Sequence, residues 1–527
     1  MDANIKHMIG QMIIAGFPSP HLDEQVRRLV EDFAVGNFAL FARNLLSTEQ
    51  ICSLTTELHQ YVYEKNGLAA FIACDQEGGV VSRVGVGTAL FPGPMSMTAS
   101  ASADPYRTGK NCSAALSALG IRGNFGPVLD VNLPPMNPII GTRAYADNTA
   151  DVIRNGVAMV RGMTEGGTMT AVKHFPGHGN TSSDSHLELP RNTSAAEELY
   201  RVEFAPFKEA FDAGSDALMT CHVLFEQIDP EHPATLSKKI MTDLLRGEMG
   251  FTGVAITDCM AMQAIQRTYG IGPGAVLAVN AGCDILCFSH TYESVSLAVN
   301  AIYEAVETGV ISVERIRESY DRIVAMKKKY GVLTPPVIDV EHARRVMQDP
   351  EVLAFNRKQS RDSMLLQYDN GGLAAMKSGA RVRYFAPESI AVTGAEDADR
   401  APTRIGELAA QRFGGESVIF PMNEFDAATA DAITDDAYDV AVLALYNARL
   451  RPSQQAILRA LEADGRPLVV LLMGAAYDIP LVKRADTLVV AHEYTWLAAT
   501  SLLDALENGE FNGHLPVTPP ESLPGVL

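Results

Sequence analysis

The sequence has no run of about 18 or more uninterrupted apolar residues, so no stretch of it reads as a membrane-spanning helix. It also lacks a basic face. The net charge is −20, from 43 Lys and Arg against 63 Asp and Glu, and the only cationic cluster is Lys327 to Lys329. A nucleic-acid partner is therefore not expected. The lysine run reads as the solvated end of a helix, and the acidic balance as a source of solubility. A disulfide framework is not indicated either. The seven cysteines (52, 74, 112, 221, 259, 283 and 287) are odd in number, widely scattered and set among apolar residues, as reduced buried thiols would be. Cys283 and Cys287 are spaced C-x3-C, which is not a zinc-knuckle spacing. The first residues, MDANIKHMIGQMIIAGF, lack the layout of a secretory signal, and MIIAGF reads as a first buried strand. Taken as complete, the chain is expected to be cytoplasmic.

What is present is a rhythm. At 527 residues the chain is too long for one ordinary domain but fits a large barrel followed by a smaller domain. Eight short apolar runs alternate with amphipathic stretches up to about residue 335: QMIIAGF, NFALFA, AAFIACD, NFGPVLDVN, MTAVKHF, ALMTCHVLF, GVAITD and DILCFS. Strand-helix alternation implies a parallel sheet, and eight repeats in this length favour a (β/α)8 barrel over an open sheet. Polar residues gather where these runs end: Asp75, Asp130, Lys173 with His174, His222, Asp258 and His290. In a barrel that edge carries the site. An open sheet would place ligands there too.

Near residue 333 the style changes. GVLTPPVID breaks the preceding helix, and a helical linker is expected over 336–370. From 371 to 527 the runs RVRYFA, ESVIFP, YDVAVLALYN, PLVVLLMG and DTLVVAHEY predict a second, smaller α/β domain, an open sheet between helices. The expected organisation is thus a 1–335 barrel, the 336–370 linker and a 371–527 αβα sandwich.

The segment KHFPGHGNTSSDSHLELP, residues 173–190, concentrates titratable groups in a Gly/Pro-rich loop. Three readings compete. His174, His178, Asp184, His186 and His222 offer metal ligands. Against that, the first run carries no His-x-His of the kind barrel amidohydrolases use, and Lys173 sets a fixed cation beside His174. A structural role suits any single loop histidine, but less so a cluster converging at one strand end. The third reading is acid/base catalysis. Asp184 can reach the ring of His186, fix its tautomer and make it more basic. Asp258, ending FTGVAITD, supplies a carboxylate nucleophile. Nucleophile plus general acid is the chemistry of retaining glycoside hydrolysis.

These residues fall within a family pattern. DQEGGVVSRV (75–84), FGPVLDVN, NPIIGTRAY, KHFPGHGNTSSDSHLELP, MTCHVLF with HPATLS, and GFTGVAITDCMAMQAI occur in order over about 70–265. The chain resembles the β-N-acetylglucosaminidases of glycoside hydrolase family 3, the NagZ type, in their two-domain form. The resemblance implies Asp258 as nucleophile and His186 as acid/base paired with Asp184. It implies Asp75, Lys173, His174 and Arg143 as the groups that hold sugar hydroxyls, with Arg83 and His222 nearby. No metal and no cofactor are expected. Charged, bidentate hydrogen bonds suit a hydroxyl-rich neutral ligand. Pro176, Gly177 and Gly179 are expected to hinge the loop over the sugar.

This sequence departs from the pattern at Val80, where an arginine is usual, at Cys259, where aspartate is common, and at Asn180, which often is Asp. The single tryptophan, Trp496, falls in the second domain, so the barrel has no indole platform. Tyr145 and Phe175 are read as packing. The expected activity is exo-β-N-acetylglucosaminidase action on peptidoglycan or muropeptide fragments, through a glycosyl-aspartate. Phosphorolysis at the same site is open, because a neutral histidine base repels phosphate less than glutamate would. β-Glucosidase action fits less well, since relatives with it usually lack the D-S-H loop. A non-catalytic sugar-binding protein would need no nucleophile. The sequence leaves the aglycone, the oligomeric state and the second domain's role open.

Overall fold

A computed structural model describes residues 2–85, 90–181, 189–388 and 403–523. Eight strands close a parallel barrel: β1 Ile13–Ala15, β2 Asn37–Leu40, β3 Phe71–Cys74, β4 Gly123–Asn124, β5 Met169–Phe175, β6 Ala217–Thr220, β7 Val254–Cys259 and β8 Ile285–Phe288. Neighbours in space are neighbours in sequence, and β1 closes on β8 in the register Ile13↔Leu286. Each strand overlaps one of the eight apolar runs, β4 only at Asn124, the first residue of NFGPVLDVN. They lack a polar alternation because both faces are buried, one inside the barrel and one under helices. The shortest strand, β4, continues through a bridge between Val128 and Lys173.

The helices start where the sequence supplies caps. Asp23, Ser47, Asn148, Thr291 and Ser312 each accept a hydrogen bond from a first-turn backbone N–H, satisfying groups the helix leaves unpaired. Polar anchors join the outer helices to the strand beginnings. Asp284, fully buried, accepts from Arg246 at 2.7 Å, Arg322 at 3.0 Å and Ser319 at 2.7 Å.

Lys327 corrects the reading of its run as a solvated helix end. It is fully buried, and its Nζ donates to Gln11 Oε1 (2.8 Å), Gly36 O (2.9 Å) and Ala69 O (3.0 Å) at the barrel floor. Lys329 pairs with Asp216 at 2.5 Å. All seven cysteines are buried and unpaired. Among the described residues no helix is long and apolar enough to cross a membrane.

The second domain is a six-stranded sheet, β9 Leu365–Asp369, β10 Val382–Pro387, β11 Glu416–Phe420, β12 Val440–Leu445, β13 Leu468–Leu472 and β14 Thr487–Val490. Its spatial order is β9-β14-β13-β12-β10-β11, all parallel except β9, which runs antiparallel to β14. The expected linker is therefore too long. Helices fill Val340–Met347 and Pro350–Arg361, but 365–369 already belongs to the second sheet. Its half-exposed side chains on a sheet edge gave no buried-run signal.

The second domain meets the barrel on loops that follow β3 and β4. Glu493 Oε2 accepts from Gly93 N at 2.6 Å, Tyr477 Oη donates to Asn132 O at 2.8 Å, and Arg449 donates to Pro135 O. Thr518 N donates to Asp147 Oδ2 at 2.7 Å, and Ser96 and Ser363 share a hydrogen bond of 2.9 Å.

Candidate active site

The carboxyl ends of β3, β5, β6 and β7 bring the sequence-predicted groups to one mouth. Asp75 follows β3 directly. The chain then turns through a small hairpin, Gln76–Gly78 with Val81–Ser82, that carries Glu77 inward and Val80 on the half-buried turn. Lys173, near the end of β5, is buried and places Nζ 2.7 Å from Asp75 Oδ1 and 2.6 Å from Glu77 Oε1. Arg143, in the turn Gly141–Arg143, grips the same Glu77 with both arms, Nη2 to Oε1 at 2.8 Å and Nε to Oε2 at 2.9 Å. Arg83 Nη2 stands 3.6 Å from Asp75 Oδ2.

This is a buried network of alternating charge. Burial alone would raise the Glu77 carboxyl, but Arg143 and Lys173 outweigh it and hold the group far below the usual range. Burial likewise opposes the charge on Lys173, and Asp75 and Glu77 overcome it, keeping the ammonium protonated. Such pairs are fixed in place because separating them would strand a charge away from water. They present a rigid fork of donors and acceptors at the strand ends.

His174 turns the other way. Its Nδ1 lies 2.7 Å from Asp130 Oδ2, and Nε2 faces Arg143 Nη2 at 3.5 Å. Since arginine only donates, Nε2 is the acceptor and Nδ1 carries the proton toward Asp130. Asp130 is fully buried and also accepts from the backbone N–H of His178 at 2.7 Å. Burial would raise its carboxyl, but His174 and His178 bring it down. His178 Nδ1 contacts Thr181 Oγ1 at 2.9 Å, and burial, then the neighbouring His174, lower its pKa to about 4. At neutral pH this ring is uncharged.

Asp258, the second-last residue of β7, is half-buried rather than enclosed, so its carboxylate stays within reach of a ligand. Its Oδ1 accepts from Cys259 N at 2.6 Å. His222 is fully buried behind it. Nε2 donates to Cys259 O at 3.1 Å, and Nδ1 meets Thr235 Oγ1 at 2.9 Å. His222 therefore holds the backbone that bears Asp258. Asp75, directly after β3, and Asp258, near the end of β7, both stand at the carboxyl edge of the closed barrel.

Asp184 and His186 lie outside the described residues. The loop leading to them is packed at its base. A Cβ on Gly177 would come 2.2 Å from Glu203 Oε2, and one on Gly179 would come 1.9 Å from Val131 O. Close approach requires glycine at both positions, and Gly177 also holds a φ of +146°. Tyr145 and Phe175 are fully buried, and Phe175 packs on Phe207 with ring centroids 5.4 Å apart, so both are packing residues. His290 is exposed at the end of β8 and Trp496 is 52% exposed in the second domain. Sequence reasoning missed the parts played by Glu77 and Asp130. Glu77 stood in the quoted DQEGG block, two residues from Asp75, and that spacing was the available signal.

The architecture is a closed eight-stranded barrel with a charged carboxyl-end mouth, followed by an open αβα sheet. Residues 4–326 match the model of the glycosyl hydrolase family 3 N terminal domain, and the chain belongs to that family. It is a family 3 glycoside hydrolase. Over 333 residues it is 34% identical to beta-hexosaminidase A of Pseudoalteromonas piscicida, a match that spans 58% of this chain and only 56% of that relative. It is 33% identical over 290 residues to the beta-hexosaminidase of Alkalilimnicola ehrlichii, covering 54% of this chain and 82% of that one. The whole two-domain architecture resembles the solved structure of a family 3 beta-N-acetylglucosaminidase from Paenibacillus sp. str. FPU-7, with a TM-score of 0.91, 34% identity, and coverage of 98% and 99% of the two chains.

Proposed function

We propose that this chain is a retaining exo-β-N-acetylglucosaminidase that removes terminal β-linked N-acetylglucosamine, with peptidoglycan or muropeptide fragments as substrates in the cytoplasm. The observation that carries the reading is the pairing of an accessible, backbone-held Asp258 with the Asp75–Lys173–Glu77–Arg143 network at one barrel mouth. The likeness to β-hexosaminidases and to a β-N-acetylglucosaminidase over nearly the whole chain supports the sugar.

In this mechanism Asp75, Lys173, Arg143 and His174, with Arg83 beside them, hold the hydroxyls of the terminal sugar. Asp258 attacks the anomeric carbon while His186, oriented by Asp184, protonates the departing oxygen. A glycosyl-aspartate forms. His186, now neutral, takes a proton from water, which attacks the same carbon, releases Asp258 and leaves the product with retained configuration. His222 acts from behind by fixing the Cys259 peptide.

The test is turnover of an aryl β-N-acetylglucosaminide beside the matching β-glucoside, first in phosphate-free buffer and then with phosphate. Strong preference for the N-acetyl sugar without phosphate is expected. Activity that rises with phosphate and yields a sugar 1-phosphate would make the enzyme a phosphorylase. Absence of turnover on either sugar would sink the proposal and direct attention to Val80.

A further inference from the structure

Beneath the catalytic loop lies a carboxyl that the mechanism does not use. Glu203 sits in a five-residue π-helical stretch, Tyr200–Phe204, between the helical segments Ala196–Leu199 and Ala205–Asp212. Its side chain is buried, and neither oxygen has a hydrogen-bond partner among the described residues. π-Stretches inside helices recur at functional sites because they re-aim a side chain. This one aims Glu203 at the segment that follows β5. A Cβ on Gly177 would fall 2.2 Å from its Oε2, 2.9 Å from its Cδ and 3.0 Å from its Cβ, so the whole side chain lies along the Gly177 backbone.

The opposite side of that segment is held by Asp130, which accepts from His174 N at 3.3 Å, His174 Nδ1 at 2.7 Å and His178 N at 2.7 Å. The span from His174 to His178 is thus gripped between two carboxyl groups, one hydrogen-bonded, the other without a donor among the described residues. We propose that Glu203 is a positioning residue for the acid/base loop, its side chain backing Gly177 so that the span from His174 to His178 stays seated on Asp130. The proposal rests on the reading of His186 as the acid/base.

Charge makes the wedge sensitive to pH. The charged groups acting on Glu203 are Asp130 from the loop side and Glu198 from its own helix, both negative, and Cys221, also buried, contacts Gly177 O at 3.9 Å. His174 and His178 lie beyond Gly177 and are occupied by Asp130 and Thr181. Burial, then these carboxylates, push the Glu203 pKa well above the usual range. Ionisation at alkaline pH would add a second buried negative charge near Asp130 with no donor to receive it, which drives the side chain away from Gly177.

The test compares wild type, Glu203→Gln and Glu203→Ala, each checked for folding by thermal melting. Gln keeps the shape and cannot ionise; Ala empties the space behind Gly177. For a substrate with a poor leaving group, Glu203→Ala should lower kcat by roughly ten- to a hundredfold, the effect of a displaced catalytic group. KM should hold, and an activated aryl substrate should suffer much less. Glu203→Gln should restore the wild-type ratio between the two leaving groups while its alkaline limb moves to higher pH. Equal losses on both leaving groups, or an alkaline limb in Glu203→Gln that coincides with wild type, would overturn the assignment. Hydrogen exchange over residues 175–190 supplies a readout that needs no activity. It should quicken in Glu203→Ala and not in Glu203→Gln. If wild type cleaves neither sugar, the functional reading fails, and unchanged exchange in Glu203→Ala would separately overturn the positioning role.

Discussion

Replacing Glu77 by glutamine tests the central charge network. In the wild type, Glu77 accepts from both arms of Arg143 and from Lys173, and all three side chains are buried. Glutamine keeps the shape but removes the charge. Lys173 and Arg143 then share one carboxylate, Asp75, which reaches only Lys173 of the two. Arg143 retains one amide oxygen and a long contact of 3.4 Å to Ile139 O. Removing one member of a buried ion pair costs about 3–5 kcal/mol. The unfolding entropy of the barrel, at about 2.1 cal/mol/K per residue over 4–326, is roughly 0.7 kcal/mol/K. The barrel transition should therefore fall by about 4–7 °C, read by calorimetry at neutral pH.

The sign of the pH dependence is a second check. A carboxyl whose folded pKa is depressed stabilises fully above its unfolded value, here 4.5, and loses that contribution as pH falls toward the folded one. The gap in Tm between wild type and Glu77→Gln should accordingly narrow below about pH 4.5. A variant melting within a degree of wild type at pH 7, or a gap that widens in acid, would refute the claim that Glu77 neutralises both cations.

Other outcomes follow from the same geometry. Asp258→Ala should remove nearly all turnover while leaving Tm close to wild type, because the side chain is only half-buried at the end of β7. His186→Ala should slow substrates with poor leaving groups by about a hundredfold or more while sparing activated aryl glycosides; equal losses would undo the acid assignment. Lys327→Met should leave three buried acceptors at the barrel floor without a donor and cost about 3 kcal/mol or more, visible as a lower Tm with unchanged KM. A chelator should leave turnover unchanged, since His174 and His222 are occupied by Asp130, Thr235 and the Cys259 carbonyl.

The barrel was legible because its strands are buried on both faces and therefore stand out as short continuous apolar runs. Strand β9 was hidden for the opposite reason, since LLQYD lies half-exposed on a sheet edge only three residues after a helix. Lys327 misled by its neighbours. Its spacing from Ile316 and Ile323 continues the apolar stripe of Val313–Lys329, and helical period outweighs the look of a charge run. Asp75, Lys173, His174 and Arg143 were found through motif and strand-end position, and they do converge. Asp130 was seen at a strand end, but its grip on His174 and His178 depends on how the chain folds back after β5, which spacing alone does not reveal. Glu203 had no signal, because a π-helical stretch leaves no mark in the hydrophobic period.

The contacts between the second sheet and the loops after β3 and β4 also set an order of events in time. Those loops carry Glu77 and Arg143, and the groups that brace them, Arg449, Tyr477, Glu493 and Thr518, all come late in the chain. Domains fold from the N-terminus during synthesis at about 5–20 residues per second, so roughly 10–40 s separate completion of the barrel from arrival of its last brace. During that interval the barrel has its strands and Asp258 but lacks the contacts that brace the loops after β3 and β4.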